Sequence, residues 1–301
     1  MRILVTGSSG LIGSALVPFF TSQGHQVVRL VRPGKAAGTE AVVVWDPDAG
    51  KLEASLLENF DAVVHLAGHN IAAGRWTEDV KKRIRDSRVR GTELLSESLA
   101  SLQTPPRVMI SASAVGYYGS RGDEVLTEES LPGSGFLAEV AKEWEGATGA
   151  ARRKGIRVVN LRTGMVLSGK GGALKAMLPA FKAGAGGKLG DGKQFISWIA
   201  IDDLLRVFAH AILTESLNGP VNAVSPNPVR NAEWTEIFGK VLGRPTILAM
   251  PAPLVRLMFG EMADALLLAS QRVEPRRLLA SGFAFEFPDL EPALRHVLGV
   301  S

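Results

Sequence analysis

Arg2-Ile3-Leu4-Val5-Thr6-Gly7-Ser8-Ser9-Gly10-Leu11-Ile12-Gly13 is a short β-branched run that breaks into glycines spaced GxxGxxG and continues, from Leu11 to Gln23, with apolar residues at helical spacing. A strand, a glycine turn and a helix in that order make an anion site. Gly7 permits the tight turn, Gly10 lets a diphosphate approach the backbone, and Gly13 lets the helix sit close to the strand. The N–H groups around Ser9, Leu11 and Ile12 lie where a helix begins, have no intrahelical acceptor and are offered to phosphate oxygens. A dinucleotide-binding loop is expected. A turn whose glycines are purely steric predicts the same local shape without a ligand.

The same rhythm continues outward. Val27 to Val31, Val42 to Trp45, Ala62 to Leu66, Val108 to Ser111 and Val158 to Leu161 read as strands, with helices over Val80 to Leu102 and Leu137 to Lys154. Alternating strands and helices imply βαβ units, so the expected fold is α/β: a Rossmann doubly wound parallel sheet with a smaller C-terminal substrate lobe. The dinucleotide domain is expected over residues 1–165, its sheet completed by later segments, and the lobe over 166–301. In that lobe helices are expected at Asp202 to Leu213 and Asn231 to Leu242, a connecting strand and turn at Pro245 to Pro253, and a helical segment near 248–298. Phe283, Phe285 and Phe287 alternate as in a short strand.

The end of the second strand decides between NAD and NADP. An acid there would hold the ribose 2′-hydroxyl, whereas an arginine would hold a 2′-phosphate. The sequence reads Val28-Arg29-Leu30-Val31-Arg32-Pro33-Gly34-Lys35, with no carboxylate. Arg32, with Lys35 as a second charge, therefore points to NADP(H), because guanidinium forks phosphate with charge-assisted bonds. Leu66, Ala67 and Gly68 close another apolar strand with small residues where a dinucleotide would cross the sheet edge, and Ser111 ends the next. His65, inside its strand, reads either as a catalytic group or as a satisfied core residue.

The 301 residues are 46% hydrophobic and 21% charged, which suits a water-soluble globular chain. With no cysteine, thiolate chemistry and disulfides are excluded, and no metal site is expected. Nothing at the N-terminus resembles a secretory leader, and apolar runs such as Trp198 to Ile201 are cut short by Asp202 and Asp203; a cytoplasmic protein without membrane attachment is expected. The basic stretch Lys81 to Arg90 reads as the solvated face of a helix rather than a nucleic-acid stripe, because no aromatics interleave it.

Several further motifs stand in order: His65-Leu66-Ala67-Gly68 followed by Arg75-Trp76, Ser87-Arg88, SASAVGYYG over Ser111 to Gly119, LRTGMVLS over Leu161 to Ser168, FISWIAIDDL over Phe195 to Leu204, and a closing SGFAFEFPDLEPAL. Together with TGSSGLIG they resemble the extended, atypical short-chain dehydrogenase/reductase superfamily, within it the NAD-dependent epimerase/dehydratase-like proteins of the cell-division-inhibitor-like group. The resemblance implies a Ser/Thr, a tyrosine that shuttles a proton, and a lysine four residues after it. Lys142 occupies the lysine's place, but Ala138 stands four residues earlier, so the YxxxK pair is absent. Ser113 matches the superfamily's serine, and a tyrosine shuttle must come from Tyr117 or Tyr118, the two tyrosines of the chain. Arg75, Trp76, Arg88 and Trp198 are candidates for the substrate side, since arginine beside an aromatic suits an anionic or sugar-like ligand. Two functions remain open: an NADP-dependent oxidoreductase or epimerase on a small sugar-like or carbonyl substrate, and a non-catalytic NADP(H)-binding redox sensor or regulator.

Overall fold

A computed structural model describes residues 1–34 and 41–300; Lys35 lies outside the described residues. In chain order the elements are β1 (Arg2–Thr6), α1 (Leu11–Ser22), β2 (Gln26–Val31), β3 (Val42–Asp46), β4 (Lys51–Leu52), β5 (Ala62–His65), α2 (Glu78–Ser101), β6 (Val108–Ala114), β7 (Val125–Leu126), α3 (Phe136–Gly146), α4 (Gly149–Arg153), β8 (Arg157–Thr163) and β9 (Met165–Leu167). There follow α5 (Gly172–Lys182), β10 (Phe195–Ile196), β11 (Trp198–Ala200), α6 (Ile201–Leu213), β12 (Gly219–Ala223), β13 (Val229–Arg230), α7 (Asn231–Leu242), α8 (Ala252–Phe259), β14 (Arg272–Val273), α9 (Arg276–Ala280) and α10 (Leu290–Leu298).

Eight strands form one sheet in the order β12-β8-β6-β5-β1-β2-β3-β4. β1 pairs in parallel with β2 on one side and β5 on the other, and β2–β3 and β5–β6 are parallel too. The chain thus winds outward in both directions from β1, which places a crevice at the carboxyl ends of β1 and β5. Parallel strands covered on both faces need continuous apolar runs. Ile3, Leu4, Val5, Val63, Val64, Met109, Ile110, Val158 and Val159 are accordingly all fully buried.

By its contacts the chain divides into two compact units. The first is Met1–Ser113 with Val140–Leu161 and Phe208–Pro220; the second is Ala114–Glu139, Arg162–Val207 and Val221–Ser301. Within the first, α2 starts where Thr77 Oγ1 accepts the Val80 N–H at 3.3 Å, with Glu78 and Asp79 in the positive first turn. It buries Ile84, Gly91, Thr92, Leu95 and Leu99 and exposes Lys82, Arg83, Arg85 and Arg90. Lys82 and Arg90 both pair with Asp86 one turn away, and Arg85 pairs with Glu143.

Three expectations of secondary structure are corrected. The helix expected over Leu137 to Lys154 is two helices, α3 and α4. Between them the Thr148 hydroxyl donates to the Glu145 carbonyl at 2.7 Å, taking the acceptor a continuing helix would use, and Gly146 and Gly149 flank it with poor helix formers. The released N–H of Ala151 donates to Ser96 Oγ on α2 at 2.8 Å. Pro245 to Pro253 forms no strand: Met250 makes an isolated bridge to Leu189, and α8 begins at Ala252. Phe283 to Phe287 is irregular too, because its backbone groups are taken by side chains. The buried Asp203 carboxylate accepts the N–H groups of Glu286 and Phe287 at 2.8 and 2.9 Å, and Arg206 donates to the Ala284 carbonyl at 2.9 Å.

Candidate functional site

The first unit assembles two motifs some sixty residues apart into one surface. At the end of β1, Thr6 Oγ1 accepts the N–H groups of Leu66 and Ala67 at 3.0 and 3.1 Å, which fixes the exit of β5 beside the glycine turn. Gly7 has φ +65°, and a Cβ on it would stand 2.7 Å from the Leu66 carbonyl carbon and 2.8 Å from Ala67 N. Gly13, buried in the first turn of α1, lies so close to the loop that a Cβ would overlap the Gly7 carbonyl oxygen and come within 2.6 Å of Ser8 Cα. Glycine is required at both positions by close backbone approach.

Gly10 N–H donates to Gly7 O at 3.0 Å, and the first bond of the helix runs from Ser14 N–H to Gly10 O at 2.9 Å. The N–H groups of Leu11, Ile12 and Gly13 therefore precede the ladder, and no side chain caps them. Ser9, Gly10 and Gly68 are exposed and leave this edge open. An uncapped helix start in a glycine cradle is what a diphosphate fits. Arg32, exposed past the end of β2, lines a cavity of about 510 Å³ with Asp48, His69, Asp79, Lys82, Arg83, Asp86 and Ser87, and its Nη1 stands 3.9 Å from Asp48 Oδ2.

His65 is a core group. It is fully buried, its Nδ1 is hydrogen-bonded with Thr6 Oγ1 at 2.8 Å and its Nε2 with Thr92 Oγ1 at 2.9 Å, and burial pulls its pKa down to about 4. It is neutral at neutral pH, with both ring nitrogens committed to neighbouring hydroxyls.

On β6, Ser111 is buried, and the Ser113 hydroxyl donates to Glu145 Oε1 on α3 at 2.7 Å. Glu145 escaped the sequence reading because 32 residues separate the pair and no local pattern joins them. Lys142 projects from α3 into solvent, and Ala138 is buried. Arg75 is exposed, whereas half-buried Trp76 donates its indole N–H to the Ile71 carbonyl at 2.8 Å.

Tyr117, Tyr118 and Trp198 belong to the second unit. Tyr118 is fully buried; its hydroxyl donates to Asn222 Oδ1 at 2.7 Å and accepts from Arg162 Nη1 at 2.9 Å, and burial pushes its pKa up to about 12. A phenol so committed does not exchange protons with a ligand, so Tyr118 is corrected to a core residue. Half-buried Tyr117 carries the Arg162 guanidinium over its ring at 3.5 Å, and its hydroxyl has no partner among the described residues. Trp198 is likewise corrected. It is fully buried among Leu167, Leu174 and Trp234, with Nε1 donating to the Asn227 carbonyl at 3.1 Å, out of reach of a substrate. Among the described residues no cluster of His, Asp and Glu could hold a metal ion, and no helix is long and apolar enough to cross a membrane.

A model of the NAD dependent epimerase/dehydratase family matches residues 3–223, and one of a domain of unknown function matches residues 250–297. The epimerase family protein Mb2239 of Mycobacterium bovis is 44% identical over 292 residues, covering 97% of this chain and 96% of its own. The crystal structure of human epimerase family protein SDR39U1 (isoform 2) with NADPH aligns with a TM-score of 0.90 at 34% identity, covering 99% of both chains. UDP-glucose 4-epimerase of Thermotoga maritima with UDP-glucose shares the fold, with a TM-score of 0.78 at 18% identity over 99% of this chain and 98% of its own.

Proposed function

The chain belongs to the NAD dependent epimerase/dehydratase family, and on that premise we propose that it binds NADP(H) and acts as an oxidoreductase or epimerase on a small carbonyl or sugar-like substrate. The observation that carries the reading is the uncapped start of α1 in its glycine cradle, with Arg32 where an NAD enzyme would place an acid. Gly7, Ser9, Gly10, Leu11, Ile12 and Gly13 hold the diphosphate, Arg32 takes the 2′-phosphate, and Leu66, Ala67, Gly68 and Ser111 flank the dinucleotide. The human relative crystallised with NADPH supports this assignment.

Bound NADP(H) supplies or accepts the hydride; the chain handles the proton. Ser113 spends its own hydrogen on Glu145, so its lone pairs remain to accept from a substrate hydroxyl. Tyr117, with an uncommitted hydroxyl and a cation against its ring, is the proton donor. Arg75 and Trp76 stand on the substrate side. The compartment in which this happens is expected to be the cytoplasm.

With NADPH and a panel of aldehydes, ketones and sugar nucleotides, loss of the reduced-nicotinamide absorbance reveals a turnover that falls about 100-fold in Ser113→Ala and in Tyr117→Phe. The missing YxxxK pair, with Ala138 buried and Lys142 in solvent, favours the second reading, a non-catalytic NADP(H)-binding regulator. NADPH that binds but is never consumed on any panel member, together with no interconversion of any sugar nucleotide incubated with the oxidised cofactor, decides for that reading.

A further inference from the structure

Arg88 is set deeper than the other cations of α2. Lys81, Lys82, Arg85 and Arg90 each pair with a carboxylate and Arg83 is exposed, whereas half-buried Arg88 has no ion pair among the described residues. Burial alone, with no acid opposing it, pulls its pKa down to about 10. A desolvated charge without a counter-charge is costly to keep.

The orientation of the guanidinium shows which of its donors are spent. Nη1 donates to two carbonyls, His69 O at 3.0 Å and Ile84 O at 3.1 Å. One face lies over the Trp144 ring, with Cζ 5.0 Å from the centroid. Nε and Nη2, the side-on edge of the fork that grips a carboxylate or phosphate with two parallel bonds, have no acceptor among the described residues. A Cβ on exposed Gly68 would come within 3.3 Å of Cζ, so the glycine leaves the guanidinium room against the open end of β5.

We propose that Arg88 is an oxyanion receptor, its Nε/Nη2 edge binding a phosphate or carboxylate oxygen of the ligand that lies along Leu66 to Gly68. Resting on the cofactor reading above, the first source of that oxyanion is the diphosphate of the dinucleotide, and the second is an acidic substrate beside it.

The test measures NADPH, ADP and adenosine 2′-monophosphate binding to the full chain, wild type, Arg88→Gln and Arg88→Lys, by calorimetry, together with the unfolding midpoint in rising inorganic phosphate or acetate. If the diphosphate is the source, Arg88→Gln weakens NADPH and ADP about 10- to 100-fold and leaves adenosine 2′-monophosphate unchanged. If a substrate oxyanion is the source, NADPH and ADP affinities hold, but stabilisation by phosphate or acetate, seen in the wild type, disappears in the variant. Arg88→Lys keeps the charge without the fork, gives an intermediate loss in whichever arm responds, and serves if the Gln variant does not fold. Identical affinities and identical oxyanion stabilisation in all three proteins overturn the proposal and leave Arg88 as a fastener between β5 and α2. A wild type that ignores NADPH defeats the cofactor reading instead, while the phosphate and acetate arm still decides for or against Arg88.

Discussion

Gly13→Ala is expected to weaken NADPH binding at least about 100-fold and to lower stability by roughly 1–3 kcal/mol, the range of an overpacked core. Helix propensity alone argues the reverse, since alanine favours a helix over glycine by about 1 kcal/mol. Sterics decide the sign. The new Cβ would overlap Gly7 O, stand 2.6 Å from Ser8 Cα and 2.9 Å from Gly7 C, and all three are backbone atoms with no rotamer to retreat into. The turn must move away from α1, and the N–H groups aimed at the diphosphate move with it. Gly10→Ala is the control. Its Cβ would meet only Gly7 O, at 3.3 Å, and φ there is an ordinary −77°, so the fold survives and binding alone suffers. Denaturant unfolding and fluorescence titration of both variants check this; a Gly13→Ala protein with wild-type stability and affinity would refute the close-approach argument.

The second large effect is Arg162→Met, expected to destabilise the protein by about 3–5 kcal/mol, as when one partner of a buried charged network is removed. The Arg162 side chain is 3% exposed, lies over Tyr117 and donates to the Tyr118 hydroxyl. Near it Glu128 is buried as well. Its Oε1 accepts the N–H groups of Asn222 and Arg277 at 3.1 and 3.2 Å, its Oε2 has no partner among the described residues, and burial pushes its pKa upward. Arg162 Nη1 also donates to the Glu128 carbonyl at 3.5 Å, which joins the two residues in one buried network. Glu128→Gln, which keeps an oxygen for the two N–H groups and removes the charge, should restore part of the loss, and a double-mutant cycle measures how much. Arg162→Lys should rescue poorly, because an ammonium cannot lie flat on Tyr117. Midpoints in urea equal to wild type for Arg162→Met would show that the network contributes nothing to stability.

The glycine loop, the second-strand arginine and the small residues after β5 were legible because each is a local pattern whose physics is set within a few residues. Six strands of the sheet, β1, β2, β3, β5, β6 and β8, followed from alternation and apolar runs, whereas the edge strands β4 and β12 did not. What sequence did not disclose is tertiary. Trp198 reads like a ligand platform until a packed layer closes over it, and Tyr117 and Tyr118 look equivalent until Asn222 and Arg162 claim one of them. The break at Thr148 turns on a hydroxyl that captures a carbonyl, and the Phe283 to Phe287 alternation fails as a strand because Asp203, eighty residues earlier, takes its N–H groups. The Ser113–Glu145 pair and the uncompensated edge of Arg88 carry no mark in the sequence either.

The most direct test of the central claim is a fluorescence titration of the wild type and Arg32→Ala with NADPH and NADH, using the five tryptophans as reporters. The account predicts that the wild type binds NADPH at least about tenfold more tightly than NADH, and that Arg32→Ala loses about 10- to 100-fold for NADPH while NADH binding is unchanged, which erases the preference. Equal affinity for the two nucleotides in the wild type, or binding to neither, would contradict it.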